Sequence, residues 1–236
     1  MSMQFGYVSP EQVLKDKADY ARKGIAKGRS LAAASYAGGI LIAAENPSNR
    51  LRKVSEIYDR IGFAGVGRYN EFDSLRIAGV RAADLKGFQY SRDDVDARSL
   101  ANQYAQILGQ IFTHEFKPME VEILVAEVGM EPGADQMFHV NYDGTIVDEN
   151  SYSVLGGDAD TIAQRLQSTW RSDLGLAEAL QVAVAALSGP DRTLAAEDLE
   201  VGILSRSNGR RAFRRLEDAE VVGLLAPVSS GEPGPS

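Results

Sequence analysis

Two apolar runs, residues 30–36 and 40–45, are separated only by the small turn Ala37-Gly38-Gly39. A glycine-bearing turn between two such runs predicts an antiparallel hairpin. Both runs are rich in alanine, with Ala32, Ala33 and Ala34 in the first and Ala43 and Ala44 in the second. Side chains that small leave no room between neighbours, so the hairpin demands close packing on both of its faces.

The rest of the chain supplies candidates for that packing. Ser9 followed by Pro10 is a helix start, a cap and then proline at the first helical position. Glu11 suits the first turn, the helix runs to about Lys23, and Gly24 or Gly28 ends it. Its stripe of Val13, Leu14, Ala18, Ala21 and Ile25 is modest, which predicts packing on the outside of the domain or against a neighbour. Strands are expected over 53–58 and 61–67. Gly62, Gly65 and Gly67 in the second let another backbone or a ligand approach closely. Helices follow over 70–85 and 96–116, the latter with Leu100, Tyr104, Ile107, Leu108, Ile111 and Phe112 at helical spacing. Strands return over 121–128, 136–142, 145–147 and 152–155. Helices over 159–171 and 174–187 come next, then strands over 199–204 and 212–216, and a closing helix over 217–225. Runs of strands alternating with pairs of helices argue against a doubly wound parallel sheet. They fit an α+β chain folded as a four-layer αββα sandwich, two antiparallel sheets face to face with helices outside. The domain is expected to span 9–226, with a mobile segment over 1–8 and a disordered Pro/Ser/Gly tail over 227–236.

Composition removes several functions. The 236-residue chain has no cysteine, hence no disulfide or thiolate metal site, and its two histidines, His114 and His139, are too few for a zinc centre. A net charge of -8 argues against nucleic-acid binding. No charged and apolar leader opens the sequence, and no apolar run approaches the ~20 residues that span a bilayer. The expectation is a cytoplasmic globular protein without membrane segment, metal or cofactor. Neither a Gly-x-x-x-x-Gly-Lys-Ser/Thr loop nor a Gly-x-Ser-x-Gly elbow occurs. Gly156-Gly157 reads as a tight strand-to-helix turn. The pairs Asp93-Asp94 and Asp148-Glu149 read as solvated loop charges, and Arg210-Arg211 and Arg214-Arg215 as surface pairs or a partner-facing strip.

Several blocks together resemble one family. Ser9-Pro10-Glu11, Asp19-Tyr20-Ala21 and Lys23-Gly24 resemble the opening of proteasome α subunits. Residues 36–45 look like the first hairpin of both α and β subunits, and residues 51–62 resemble the segment after it. Asn70-Glu71-Phe72-Asp73, Leu100-Ala101-Asn102 and Tyr142-Asp143-Gly144 also match. The resemblance runs from residue 9 to about 225 and leans to the actinobacterial α type. It implies the αββα fold of N-terminal-nucleophile hydrolases.

A catalytic β subunit uses a freed N-terminal threonine as nucleophile. That slot falls here on Arg29, internal to the chain, and the carboxylate slot on Glu45 instead of aspartate. The resemblance therefore implies a non-catalytic subunit of a threonine-type endopeptidase complex, with the extra first helix in place of a propeptide. It further implies seven-membered rings with other α subunits, stacked on β subunits. The leading segment, with Phe5, Gly6, Tyr7 and Val8, would close the axial pore, although Tyr7-Val8-Ser9 departs from the Tyr-Asp-Arg that family gates often carry. Lys53, Gly67 and Asp19 fall on the positions that receive the C-terminal tails of a ring-shaped ATPase, with Asp19 one methylene shorter than the family's glutamate. Protein substrates, including Pup-tagged ones, follow from the actinobacterial likeness. Two rivals stand beside this: an independent amidohydrolase of the same fold using a freed Ser2, and a free-standing interaction scaffold.

Overall fold

A computed structural model describes residues 9–48 and 50–226. The first helix, α1 (Pro10–Ile25), starts where the cap signal puts it: the Ser9 hydroxyl accepts from the Gln12 N–H at 3.2 Å. Arg22 and Lys23 in its last turn complement the helix dipole. Only Ala21 and Ile25 are fully buried, so the modest stripe is a real one-sided contact.

The hairpin forms from β1 (Leu31–Tyr36) and β2 (Gly39–Glu45), with Tyr36 opposite Gly39. Gly39 has φ +147°, and a Cβ there would stand 1.9 Å from the Leu204 carbonyl, so no side chain fits. Three more strands complete this sheet: β8 (Tyr152–Leu155), β9 (Leu199–Ser205) and β10 (Phe213–Arg215), in the order β10-β9-β2-β1-β8. The second sheet holds β3 (Val54–Tyr58), β4 (Ile61–Gly67), β5 (Val121–Glu127), β6 (Gln136–Val140) and β7 (Ile146–Glu149), in sequence order. Every pairing is antiparallel.

Alternation along each strand sorts the side chains into three apolar layers. Ala33, Ile40 and Ile42 meet Val54, Leu124 and Ala126 between the sheets, and α1 adds Ala21 and Ile25 to the same layer. Ala32, Leu41 and Ala43 face α4 (Ala159–Thr169) and α5 (Leu176–Ser188), flanked by α6 (Asp218–Leu225). Phe63, Ile123 and Val125 face α2 (Tyr69–Gln89) and α3 (Ala97–His114). The fold is the α+β αββα sandwich, and the two faces required by the alanine-rich hairpin are the sheet-facing and helix-facing layers.

Two readings are corrected. The helix expected to stop at 85 runs to Gln89: its last turn passes over β3, where Gly87 lies against the Tyr58 hydroxyl so closely that a Cβ would come within 2.2 Å. Asp148 and Glu149 are not loop residues but the end of β7, opposite Phe138 and Met137. An edge strand is held by backbone bonds and tolerates charge, so the sequence there carries little apolar signal. The segments expected to be mobile or disordered, 1–8 and 227–236, lie outside the described residues.

Candidate functional site

Arg29 ends the short connection from α1 and immediately precedes Ser30 and β1. Its guanidinium hydrogen-bonds the Glu45 carboxylate at the far end of the hairpin. Arg192, in the segment after α5, clasps the same carboxylate from the other side, with Nη1 to Oε1 at 3.0 Å and Nη2 to Oε2 at 2.6 Å. Nη2 also reaches the Leu187 carbonyl at 3.1 Å. Burial alone would push the Glu45 carboxyl up, but the bonds from Arg192 and Arg29 outweigh it and hold it below the usual carboxylate value. Glu45 is thus a fixed anion with its acceptors occupied.

On the inner side of the sheet, the Lys53 ammonium donates to the Arg29 carbonyl at 2.6 Å. Burial pulls its pKa down to about 8, while the Glu45 and Glu200 carboxylates work against that pull. Glu200 is a second buried carboxylate. It accepts from Lys53 N–H at 2.8 Å, Asn46 Nδ2 at 2.7 Å and Val54 N–H at 3.3 Å, and Arg215 Nη2 lies 3.1 Å away. The start of β3 is therefore pinned to β9 across the sandwich.

Gly67 closes β4 at the same end, where Gly65 N–H bonds the Lys53 carbonyl at 3.0 Å. Its φ is +104°, and a Cβ would stand 1.9 Å from the Glu120 carbonyl. The backbones of Gly28 and Gly67 also nearly touch: a Cβ on Gly28 would be 3.0 Å from the Gly67 nitrogen. Beside them Glu71 and Glu120 share Lys117, at 2.8 Å and 3.1 Å, and Arg68 Nε sits 3.2 Å from Glu120. Lys53 and Gly67 are thus brought to one end of the second sheet. Asp19 is not in contact with them; it is half-exposed on α1, paired with Arg22 at 3.7 Å. Phe5, Gly6, Tyr7 and Val8 lie outside the described residues.

Chemically the arrangement holds charge in place. A guanidinium is a permanent donor, so Arg29 supplies neither nucleophile nor base, and its main-chain nitrogen is tied up in a peptide bond. Sequence reasoning did not find Arg192 or Glu200. One signal was present for Glu200: a lone carboxylate inside an apolar run needs partners if that run is buried. Arg192, in a loop, carries no such mark.

Comparison with known proteins adds independent findings. A family model described as "Proteasome subunit" matches residues 25–204. The chain is 60% identical to the proteasome subunit alpha of Acidimicrobium ferrooxidans, over 98% of this chain and 99% of that one. It is 53% identical to the proteasome subunit alpha of Sanguibacter keddieii, over 100% and 96% of the two chains. With that of Xylanimonas cellulosilytica the identity is 54%, over 98% and 99%.

Proposed function

The chain belongs to the proteasome subunit family, and from that premise we propose that it is a non-catalytic α-type subunit that controls access to a proteolytic chamber. Copies of the chain close seven-membered rings, and these cap β-type subunits that carry the threonine nucleophile. The segment holding Phe5, Gly6, Tyr7 and Val8 gates the axial pore. Lys53, Gly67 and Asp19 receive the C-terminal tails of a ring-shaped ATPase that delivers protein substrates, Pup-tagged ones among them, in the cytoplasm.

The observation that carries this reading is the locked Arg29. The position that would bear the nucleophile in a catalytic relative holds a guanidinium bound to Glu45, behind a whole helix of preceding chain. The exposed side of α1, with Val13, Leu14 and Tyr20, supports a ring contact, because an apolar face left open on a folded chain invites a neighbour. For Asp19 the ring supplies the missing partner: tail contacts shared between adjacent copies do not require it to touch Lys53 of its own chain. A tail carboxylate would take the Lys53 ammonium in competition with the Arg29 carbonyl, through a charge-assisted bond. Each tail contributes weakly, and several bound together gain by effective concentration.

The test is the native mass of the chain, alone and with a candidate β-type subunit, alongside hydrolysis of a fluorogenic peptide. A very large particle that is active only in the mixture supports the reading. A stable monomer indifferent to the β-type chain, or activity in the chain alone, overturns it. For the docking residues, Lys53→Ala in the assembled particle should abolish ATPase-dependent degradation and leave hydrolysis of short peptides within about twofold.

A further inference from the structure

On the helix side of the locked Arg29 lies a cleft of about 450 Å³, lined by the segment before β1, the end of β2, α4 and the end of α5. That is at the small end of ligand pockets, which run from ~300 to ~1,000 Å³. The reading above gives it no role, and Lys53 does not line it. Its walls are mostly polar. Arg29, Arg165 and Arg192 contribute three guanidiniums and Glu45 and Asp158 two carboxylates, so one positive charge is left over.

The unused donors face a shortage of acceptors. Glu45 is already occupied by Arg29 and Arg192. Arg165 is held by a bond from Nη1 to the Ala186 carbonyl at 2.8 Å and lies flat against Gly189, where a Cβ would come within 2.8 Å of both terminal nitrogens. Among the described residues no carboxylate pairs with it, so a positioned guanidinium keeps its remaining N–H groups free. Ser30, 6% exposed as a residue, lines the same cleft beside Arg29. Asp158, the residue before α4, and Thr161 and Arg165 on α4 line the cleft at helical spacing, so the flank of that helix forms one wall.

We propose that this cleft binds a single carboxylate, presented either by a peptide terminus or by an acidic side chain. A planar, acceptor-only group matches the unused N–H groups of Arg165, as Glu45 matches the two terminal nitrogens of Arg192. One negative charge balances the excess, whereas a phosphate dianion would exceed it and would face Asp158 at the rim.

The experiment titrates the purified full chain by calorimetry with three acetylated peptides: Ala-Ala-Ala with a free terminus, Ala-Glu-Ala amide and Ala-Gln-Ala amide. Binding of one or both carboxylate peptides but not of the glutamine peptide is expected, and which one binds identifies the source of the carboxylate. Arg165→Gln should weaken that binding roughly tenfold or more, the loss expected for a charged hydrogen bond. Arg29→Gln, which leaves Arg192 on Glu45, provides a second variant should the first fail to fold. No binding of either carboxylate peptide, equal binding of the glutamine peptide, or wild-type affinity in the folded variants overturns the proposal.

Discussion

The four carboxylates that line the two sides of the first sheet and the inner face of the second are buried to different depths, and depth alone does not order them. The side chains of Glu45 and Glu200 are 4% and 1% exposed. Glu122 and Glu149, between the sheets at the β7 edge, are 16% and 27% exposed. Burial pushes all three carboxyls up, yet that of Glu45 is held low while those of Glu122 and Glu149 end raised. The difference is what reaches them. Glu45 meets two guanidiniums. Glu122 meets the Gly156 N–H at 3.1 Å and His139 at 3.8 Å, and Glu149 meets Ser153 at 3.3 Å and His139 at 4.0 Å. Burial depresses the His139 imidazole to about 4, so burial shifts all three groups of this second cluster toward their uncharged forms. One end of the sandwich is thus tied by fixed ion pairs, while the β7 edge holds groups whose charged forms burial disfavours.

The sharpest way to break this contrast is Glu200→Ala. It removes the acceptor for Lys53 N–H, Asn46 Nδ2 and Arg215 at once and leaves the half-buried Arg215 guanidinium without its carboxylate. The expected loss is about 3–5 kcal/mol in chemical denaturation of the isolated chain. A loss as small as that of a surface substitution would mean that water replaces Glu200 and that this end is not tied by charge.

Next in size is a pH effect at the other cluster. The folded pKa of His139, about 4, lies below its ordinary 6.5, so the folded state binds fewer protons than the unfolded one between these values. The neutral imidazole therefore contributes stability that is fully present above 6.5 and is lost as pH falls through about 4. Glu122 and Glu149 run the other way: their raised values give a contribution present below 4.5 and lost as pH rises through the folded pKa. His139→Gln, uncharged at every pH, should remove the first dependence only. Wild type should lose about 1–3 kcal/mol relative to the variant from pH 6.5 to pH 4, since one pKa unit corresponds to about 1.4 kcal/mol. Parallel stability curves for the two proteins would mean that His139 is already ion-paired with its carboxylates.

Glu45→Gln should cost less than either, about 1–2 kcal/mol at neutral pH, because Arg29 and Arg192 are half-exposed and water takes over part of their hydrogen bonding. The sign with pH is opposite to that of Glu122. A lowered folded pKa contributes stability present above the ordinary 4.5 and lost as pH falls through the folded value, so wild type and variant should converge in acid.

What could be read from the sequence follows the range of the signals. The Ser9 cap, the Ala37-Gly38 turn and the spacing of Leu100, Tyr104 and Leu108 are local, and the elements they announce form within a residue or two. The last turn of α2 carries no apolar stripe of its own and depends on Gly87 meeting Tyr58, so its pattern stopped early. Glu149 looked solvated because β7 is held by its backbone. At the candidate site, the clamps join residues 147 positions apart, Arg192 to Glu45 and Glu200 to Lys53, and no periodicity spans that distance. Lys53 and Gly67 were singled out through family resemblance, and the structure brings those two together while leaving Asp19 on the outer helix.

The smallest effect tests whether geometry or burial does the tying. Arg211 also grips Glu56 with two nitrogens, Nε 3.1 Å from Oε1 and Nη2 2.7 Å from Oε2, where Arg192 uses its two terminal nitrogens on Glu45. The Arg211 side chain is 75% exposed, however, and water competes for it in the folded state as freely as in the unfolded one. Arg211→Ala should leave the unfolding midpoint unchanged within error, even at low salt, where surface pairs are strongest. If the midpoint instead moved as far as with Glu45→Gln, the bidentate contact itself would be stabilising regardless of burial. Glu45 would then owe its low pKa to the fork geometry of its arginines and not to the dry setting in which they meet it.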